Sequence, residues 1–133
     1  TMNFPLPNGS GDRELIEVVE KAIARAENFK PDVVGVSAGF DGYVDDRLLD
    51  LRYTLNGYFQ VGNKLAASFD HIFAVLEGGY HLNGLRDSVK ATLKELSGDS
   101  ILNGANGEEK ILSSTERIIE KVRGVQKNFW SSL

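Results

Sequence analysis

Val33-Val34-Gly35-Val36 and Ile72-Phe73-Ala74-Val75-Leu76 are two short, unbroken apolar runs, and their reading decides the fold. Both are rich in β-branched or aromatic residues, and neither alternates with polar residues as a strand with one wetted face would. They therefore predict strands buried on both faces, the habit of parallel sheets. The first run ends at Ser37-Ala38-Gly39 and the second at Glu77-Gly78-Gly79, where glycine permits a tight turn with exposed backbone. Pro31 stands just ahead of the first run and blocks a helix from continuing into it.

Helical patterns flank both runs. After the turn-forming Pro7-Asn8-Gly9-Ser10-Gly11, Asp12 is the expected N-cap of a helix reaching about Phe29, with Leu15, Val18, Val19, Ala22, Ile23 and Ala26 on one stripe. Between the strands, Thr54 caps a second helix to about Phe69, carrying Leu55, Tyr58, Phe59, Leu65, Ala66 and Phe69. Beyond the second strand, Asn83 is the expected cap of a helix whose inner face uses Leu85, Val89, Leu93 and Leu96 before Gly98 ends it. Residues 1–98 thus read as one unit. Residues 99–107, rich in Gly, Asn and Ser, predict a surface loop, and residues 108–133 hold a final amphipathic helix from about Glu108 to Phe129. Its apolar side comprises Ile111, Ile118, Val122, Val125 and Phe129.

This order argues an α/β fold with a parallel sheet between helices. Two parallel strands alone leave each outer edge with a row of unpaired backbone groups, so the sheet is expected to be incomplete here and to need strands from elsewhere. Met2 is not first, and Asn3-Phe4-Pro5-Leu6-Pro7 reads as the middle of a folded connection, so a fragment of a longer chain is expected.

Composition narrows the function classes. With 133 residues, 41% hydrophobic and 26% charged, the chain has the balance of one globular unit or a piece of one. Cysteine is absent, which excludes a disulfide framework, a thiolate zinc knuckle and a cysteine nucleophile. The net charge of −4, with both signs interspersed, offers no footprint for a nucleic-acid backbone, and no direct nucleic-acid partner is expected. No apolar run approaches the roughly 20 residues that span a bilayer, and no secretory signal opens the chain. No membrane partner and a cytoplasmic location are the expectations.

In open α/β sheets, ligands bind outside the carboxyl ends of the strands. That rule selects Asp41 after the first strand and Tyr80 after the second, emerging on the same edge. Each has a plain alternative: a post-strand aspartate also caps turns, and a tyrosine also serves as a pocket wall with a hydrogen-bonded tip. His71 and His81, the only histidines, are expected to be surface or satisfied groups rather than metal ligands. Asp45, Asp46 and Asp50 are expected to form a solvated acidic loop rather than a cation site.

Asn3-Phe4-Pro5-Leu6-Pro7 with Gly9-Ser10-Gly11-Asp12, Phe29-Lys30-Pro31-Asp32, Ser37-Ala38-Gly39-Phe40-Asp41 and Leu76-Glu77-Gly78-Gly79-Tyr80 form an ordered set. In order and spacing they resemble the C-terminal motifs of class II-like histone deacetylases and their prokaryotic relatives, the acetoin utilisation proteins and acetylpolyamine amidohydrolases. The resemblance covers residues 3–98. It implies a three-layer arginase/deacetylase-like fold and hydrolysis of an acetylated amine, acetyl-lysine or acetylpolyamine, with one Zn²⁺. It also implies Asp41 as a carboxylate ligand of that zinc and Tyr80 as hydrogen-bond donor to the carbonyl oxygen as the tetrahedral intermediate forms. Gly78 and Gly79 would let backbone approach the acyl chain, and Leu48 would line the substrate pocket.

Two departures stand against that pattern. Where the family carries Gly-Asp-Pro-Leu, this chain has Asp45-Asp46-Arg47-Leu48. The paired histidines and the Asp-x-His ligand segment have no counterpart, and neither His71 nor His81 lies where it could replace them. The chain is therefore expected to be inactive alone, and to associate with a missing N-terminal part or with copies of itself. A noncatalytic assembly module working through the last helix is the competing expectation. A phosphate-handling or receiver-like domain is a third, disfavoured because no Walker lysine or dinucleotide fingerprint accompanies the strand-end aspartate.

Overall fold

The computed structural model describes residues 1–98 and 112–127. In chain order these form α1 (Asp12–Phe29), β1 (Val34–Gly39), α2 (Leu55–Ser68), β2 (Ile72–Gly78), α3 (Leu82–Leu96) and α4 (Ser113–Gln126). β1 and β2 pair in parallel, Val34 opposite Ile72 and Ala38 opposite Leu76, with α2 as the crossover. A slip after Ala38 sets Gly39 opposite Gly78. Both strands outrun their apolar cores, because Ser37-Ala38-Gly39 and Gly78 continue the ladder although they are small or polar, with Glu77 passed over at the slip.

The helix starts depart from expectation in an instructive way. Gly11, not Asp12, is the N-cap of α1, and its N–H donates to Glu14 Oε2 at 2.8 Å. Glu14 thereby frees Asp12 for a longer reach: the Asp12 carboxylate accepts from Thr54 N–H at 2.7 Å and from the Thr54 hydroxyl at 2.5 Å. Thr54 caps α2 as expected, accepting from Asn56 N–H at 3.2 Å. The α1 and α2 N-termini are thus tied together. For α3, His81 rather than Asn83 is the cap, its Nδ1 accepting from Gly84 N–H at 3.0 Å.

The inner face of α3 holds at Leu85 and Val89, which pack on the aromatic core, but fails at Leu93. Leu93 is 55% exposed, whereas Gly84, Ser88, Ala91, Thr92 and Glu95 are buried. The cause is close packing of α3 on α2: a methyl group at Gly62 would lie 2.9 Å from the Thr92 carbonyl oxygen. Helix backbones that approach so closely select a small-residue face. Glu95 is buried there with Oε2 accepting from Asn63 Nδ2 at 2.9 Å. In α4 the buried residues are Thr115, Ile119 and Gln126, while Val125 is exposed. Its start is held to α1 by Leu112 N–H donating to Glu14 Oε1 at 2.9 Å. Ile111, Phe129 and the expected loop 99–107 lie outside the described residues.

Phe40, Tyr53 and Tyr58 form the buried aromatic core just beyond β1, with Leu6, Leu15, Leu51, Leu85 and Val89 packed around it. Phe40 and Tyr58 stand 5.0 Å apart at 48°, and Tyr53 meets Tyr58 edge-on at 6.1 Å. By contrast β2 is largely uncovered: Phe73, Val75 and Leu76 are each more than half exposed. Gly35 and Ser37 of β1, opposite Phe73 and Val75, are exposed as well, as is Gly39. Among the described residues the sheet has two strands, and its uncovered apolar strand is consistent with an incomplete parallel sheet. Among the described residues, no helix is long and apolar enough to cross a membrane.

Candidate functional site

The strand pair delivers its loops to one edge. Phe40 N–H donates to the Gly78 carbonyl at 2.9 Å, prolonging the ladder and setting Asp41 beside the end of β2. A methyl group at Gly78 would lie 3.1 Å from both Cγ and Oδ1 of Asp41 and 3.2 Å from its Oδ2. One at Gly39 would lie 3.0 Å from Oδ1. The Asp41 carboxylate therefore rests across both strand ends, in space that two glycines keep open. Gly79 is needed for its conformation as well, with φ of 127°, and a side chain there would strike Leu85 and Phe40.

From Gly79 the chain enters Tyr80 and His81, and here an acid thought to be solvated intervenes. Asp46 is only 6% exposed. Its Oδ2 accepts from Tyr80 N–H at 2.6 Å and His81 N–H at 2.9 Å, and its Oδ1 from Leu48 N–H at 3.0 Å. Burial opposes ionisation of this carboxyl, but the hydrogen bonds from Tyr80, Leu48 and His81 and the nearby His81 charge outweigh it and hold Asp46 below the usual carboxylate range. Asp45 and Asp50 are exposed as expected, and Asp50 accepts from Asn8 Nδ2 at 3.0 Å.

Two further contacts steady this edge. The His81 ring stacks on Tyr43, centroids 5.6 Å apart and 19° from coplanar. Asp46 N–H donates to the Tyr43 carbonyl at 2.8 Å. Beneath, burial first, then Glu14 and Asp12, pushes the Tyr53 phenol up to about 12. Burial, then Tyr53 and Asp41, drives Tyr58 well above the ordinary phenol range, and its buried hydroxyl has no hydrogen-bond partner among the described residues.

An open hollow of about 600 Å³ lies at this edge, lined by Asp45, Asp46, Arg47, Leu48, Tyr80 and His81. It brings together Leu48 and Tyr80, which come from different loops and are 59% and 65% exposed. Asp41 is not among its lining residues and sits instead at the strand ends against Gly78. Among the described residues, no group of three or more His, Cys, Asp or Glu side chains could hold a metal ion. Asp41 is a single carboxylate donor, and these residues do not fit a zinc site by themselves.

Asp46 is the site residue that reading the sequence missed. The one hint was positional: Asp46 and Leu48 occupy the two places of the Gly-Asp-Pro-Leu run that this chain keeps.

Comparison with known proteins follows the same edge. The histone deacetylase domain family matches residues 1–96. Histone deacetylase 14, a chloroplastic protein of Arabidopsis thaliana, is 37% identical over 108 residues, which are 77% of this chain and 26% of that protein. An acetylpolyamine amidohydrolase of Burkholderia pseudomallei is 32% identical over 90 residues, covering 68% of this chain and 26% of the relative. The solved structure of the histone deacetylase Clr3 superposes with a TM-score of 0.86 at 27% identity, covering 96% of this chain and 22% of that one. The chain thus spans about a quarter of the length of these relatives. Because the family match runs through α1, β1, α2, β2 and α3 and includes both strand-end loops, the chain belongs to the histone deacetylase domain family.

Proposed function

We propose that this chain supplies part of the catalytic centre of a zinc-dependent deacetylase that hydrolyses an acetylated amine, acetyl-lysine or acetylpolyamine, to acetate and the free amine. The observation that carries the reading is that Leu48 and Tyr80, from separate loops, wall one hollow at the carboxyl edge of the strands. As water adds to the acetyl carbon, the carbonyl oxygen gains negative charge, and the exposed Tyr80 hydroxyl donates a hydrogen bond to it. Such a donor contributes roughly 3 kcal/mol in comparable sites. Leu48 gives the acyl chain an apolar wall, and Gly78 and Gly79 let backbone approach it. Asp41 offers one carboxylate to the metal; the remaining ligands and the histidines that handle the water proton belong to a further part of the domain. Alone, the chain is inactive on this reading. The test is to combine it with the N-terminal part of a family deacetylase domain and assay an acetyl-lysine peptide and an acetylpolyamine with and without a zinc chelator. Chelator-sensitive hydrolysis is expected; an assembled pair that hydrolyses neither substrate overturns the reading.

The exposed Phe73, Val75 and Leu76 of β2 favour a second, noncatalytic reading, in which the open sheet serves assembly with the missing part or with another copy. Light scattering decides this: association is expected, and a stable monomer that binds no N-terminal part counts against it.

A further inference from the structure

We propose that Asp46 is a positioning residue for Tyr80, its buried carboxylate fastening the backbone of the Tyr80 loop to the Leu48 loop across the hollow. The inference rests on the reading of Tyr80 as the substrate-facing phenol. The Tyr80 side chain is 65% exposed, so its place is set chiefly by its backbone. That backbone follows Gly78-Gly79, a dipeptide with little stiffness of its own. Asp46 provides what the glycines lack, since one oxygen takes the N–H groups of both Tyr80 and His81 and the other takes Leu48 N–H. Asp46 is fixed in turn by its own N–H on the Tyr43 carbonyl, and Tyr43 stacks on His81, which caps α3. The three N–H groups require an acceptor with two equivalent oxygens. An asparagine would offer one oxygen and turn an N–H donor toward another donor.

The experiment uses the ¹⁵N-labelled full chain. In the unsubstituted protein, the Tyr80, His81 and Leu48 amide protons should move together in one acid transition; independent or absent transitions overturn the proposal. In Asp46→Ala, which removes both acceptor oxygens, amide exchange at Tyr80 and His81 should accelerate about tenfold or more, the loss expected of a charge-assisted bond, while Leu65 in α2 keeps its protection. Unchanged exchange at Tyr80 and His81 refutes the tie. In the reconstituted enzyme the same substitution should lower kcat by about tenfold or more with KM within about threefold, as loss of alignment does. A change confined to KM would mean that Asp46 shapes the Leu48 wall rather than placing Tyr80, and overturns the proposal. Full activity in Tyr80→Phe sinks the underlying functional reading instead, and is told apart because the amide results stand without it.

Discussion

Gly78→Ala separates packing from chemistry at the strand ends. The added methyl would stand 3.1 Å from Cγ and Oδ1 of Asp41, where carbon contacts ordinarily relax to about 3.5–4.0 Å. The carboxylate must therefore shift by roughly half an ångström. Gly78 is not among the glycines with positive φ, so alanine fits the backbone, and the lower freedom of the unfolded chain returns about 0.4–1 kcal/mol. Crowding a packed site costs about 1–3 kcal/mol, and the low end applies because Asp41 is only partly buried. The net destabilisation is then about 1 kcal/mol or less, a loss of a few °C, about 4, for a chain of this size. On the proposed role of Asp41 as a metal carboxylate, activity is more sensitive, because misplacing a positioned group by about 1 Å costs on the order of 100-fold. We expect the reconstituted enzyme to lose about 10- to 100-fold in kcat while the urea midpoint of the chain barely moves. Gly35→Ala is the control: its methyl would meet the Phe73 ring at 2.7 Å, but that ring is exposed and can swing aside. Activity unaffected by Gly78→Ala, or a stability loss above about 3 kcal/mol, would refute the reasoning.

The other predictions concern the aromatic core. Gly42→Ala places a methyl 2.4 Å from Cδ2 of the buried Tyr53, which cannot yield, so urea denaturation should show a loss of about 3 kcal/mol, and a loss under about 1 would show that the ring is free to move. Tyr58→Phe removes a buried hydroxyl with no partner among the described residues and should leave stability unchanged or raise it by up to about 1 kcal/mol; a clear decrease in the urea midpoint would mean that the hydroxyl is satisfied. Alkaline pH should unfold the chain through Tyr53 and Tyr58. Their folded pKa values are raised, Tyr53 to about 12, so the folded state holds protons that the unfolded state releases near about 10. That stability is fully present below about pH 10 and falls as pH rises toward 12, as tyrosinate absorbance read beside the urea midpoint would show; a midpoint flat across that window would contradict it.

What could be read from the sequence and what could not follow from different physics. Two apolar runs separated by a helical pattern are a local signal, and they located the parallel pair and the edge carrying Asp41 and Tyr80. The strands' last residues were not legible, because pairing rather than hydrophobicity keeps Ser37-Ala38-Gly39 and Gly78 in the ladder. Capping was half legible. Thr54 competes with no neighbour, whereas Asp12 is drawn away to Thr54 and Asn83 is pre-empted by His81. The α3 face was legible at Leu85 and Val89 but not at Leu93, because Gly62, on another helix, brings α2 against Thr92 and Glu95 instead. Asp46 escaped for a similar reason: an acid is buried when enough N–H groups meet it, and two of its three come from the loop after β2. The chemical roles of Asp41, Tyr80 and Leu48 came from the family resemblance, not from periodicity.

The most direct test of the account compares kcat for Tyr80→Phe and the unsubstituted chain, each reconstituted with the same N-terminal part on an acetyl-lysine peptide. Losing one oxyanion donor predicts a fall of about 10²–10³-fold. Thermal stability should not change, since the Tyr80 side chain is largely exposed. Equal rates would contradict the central claim that this phenol works on the acyl carbonyl.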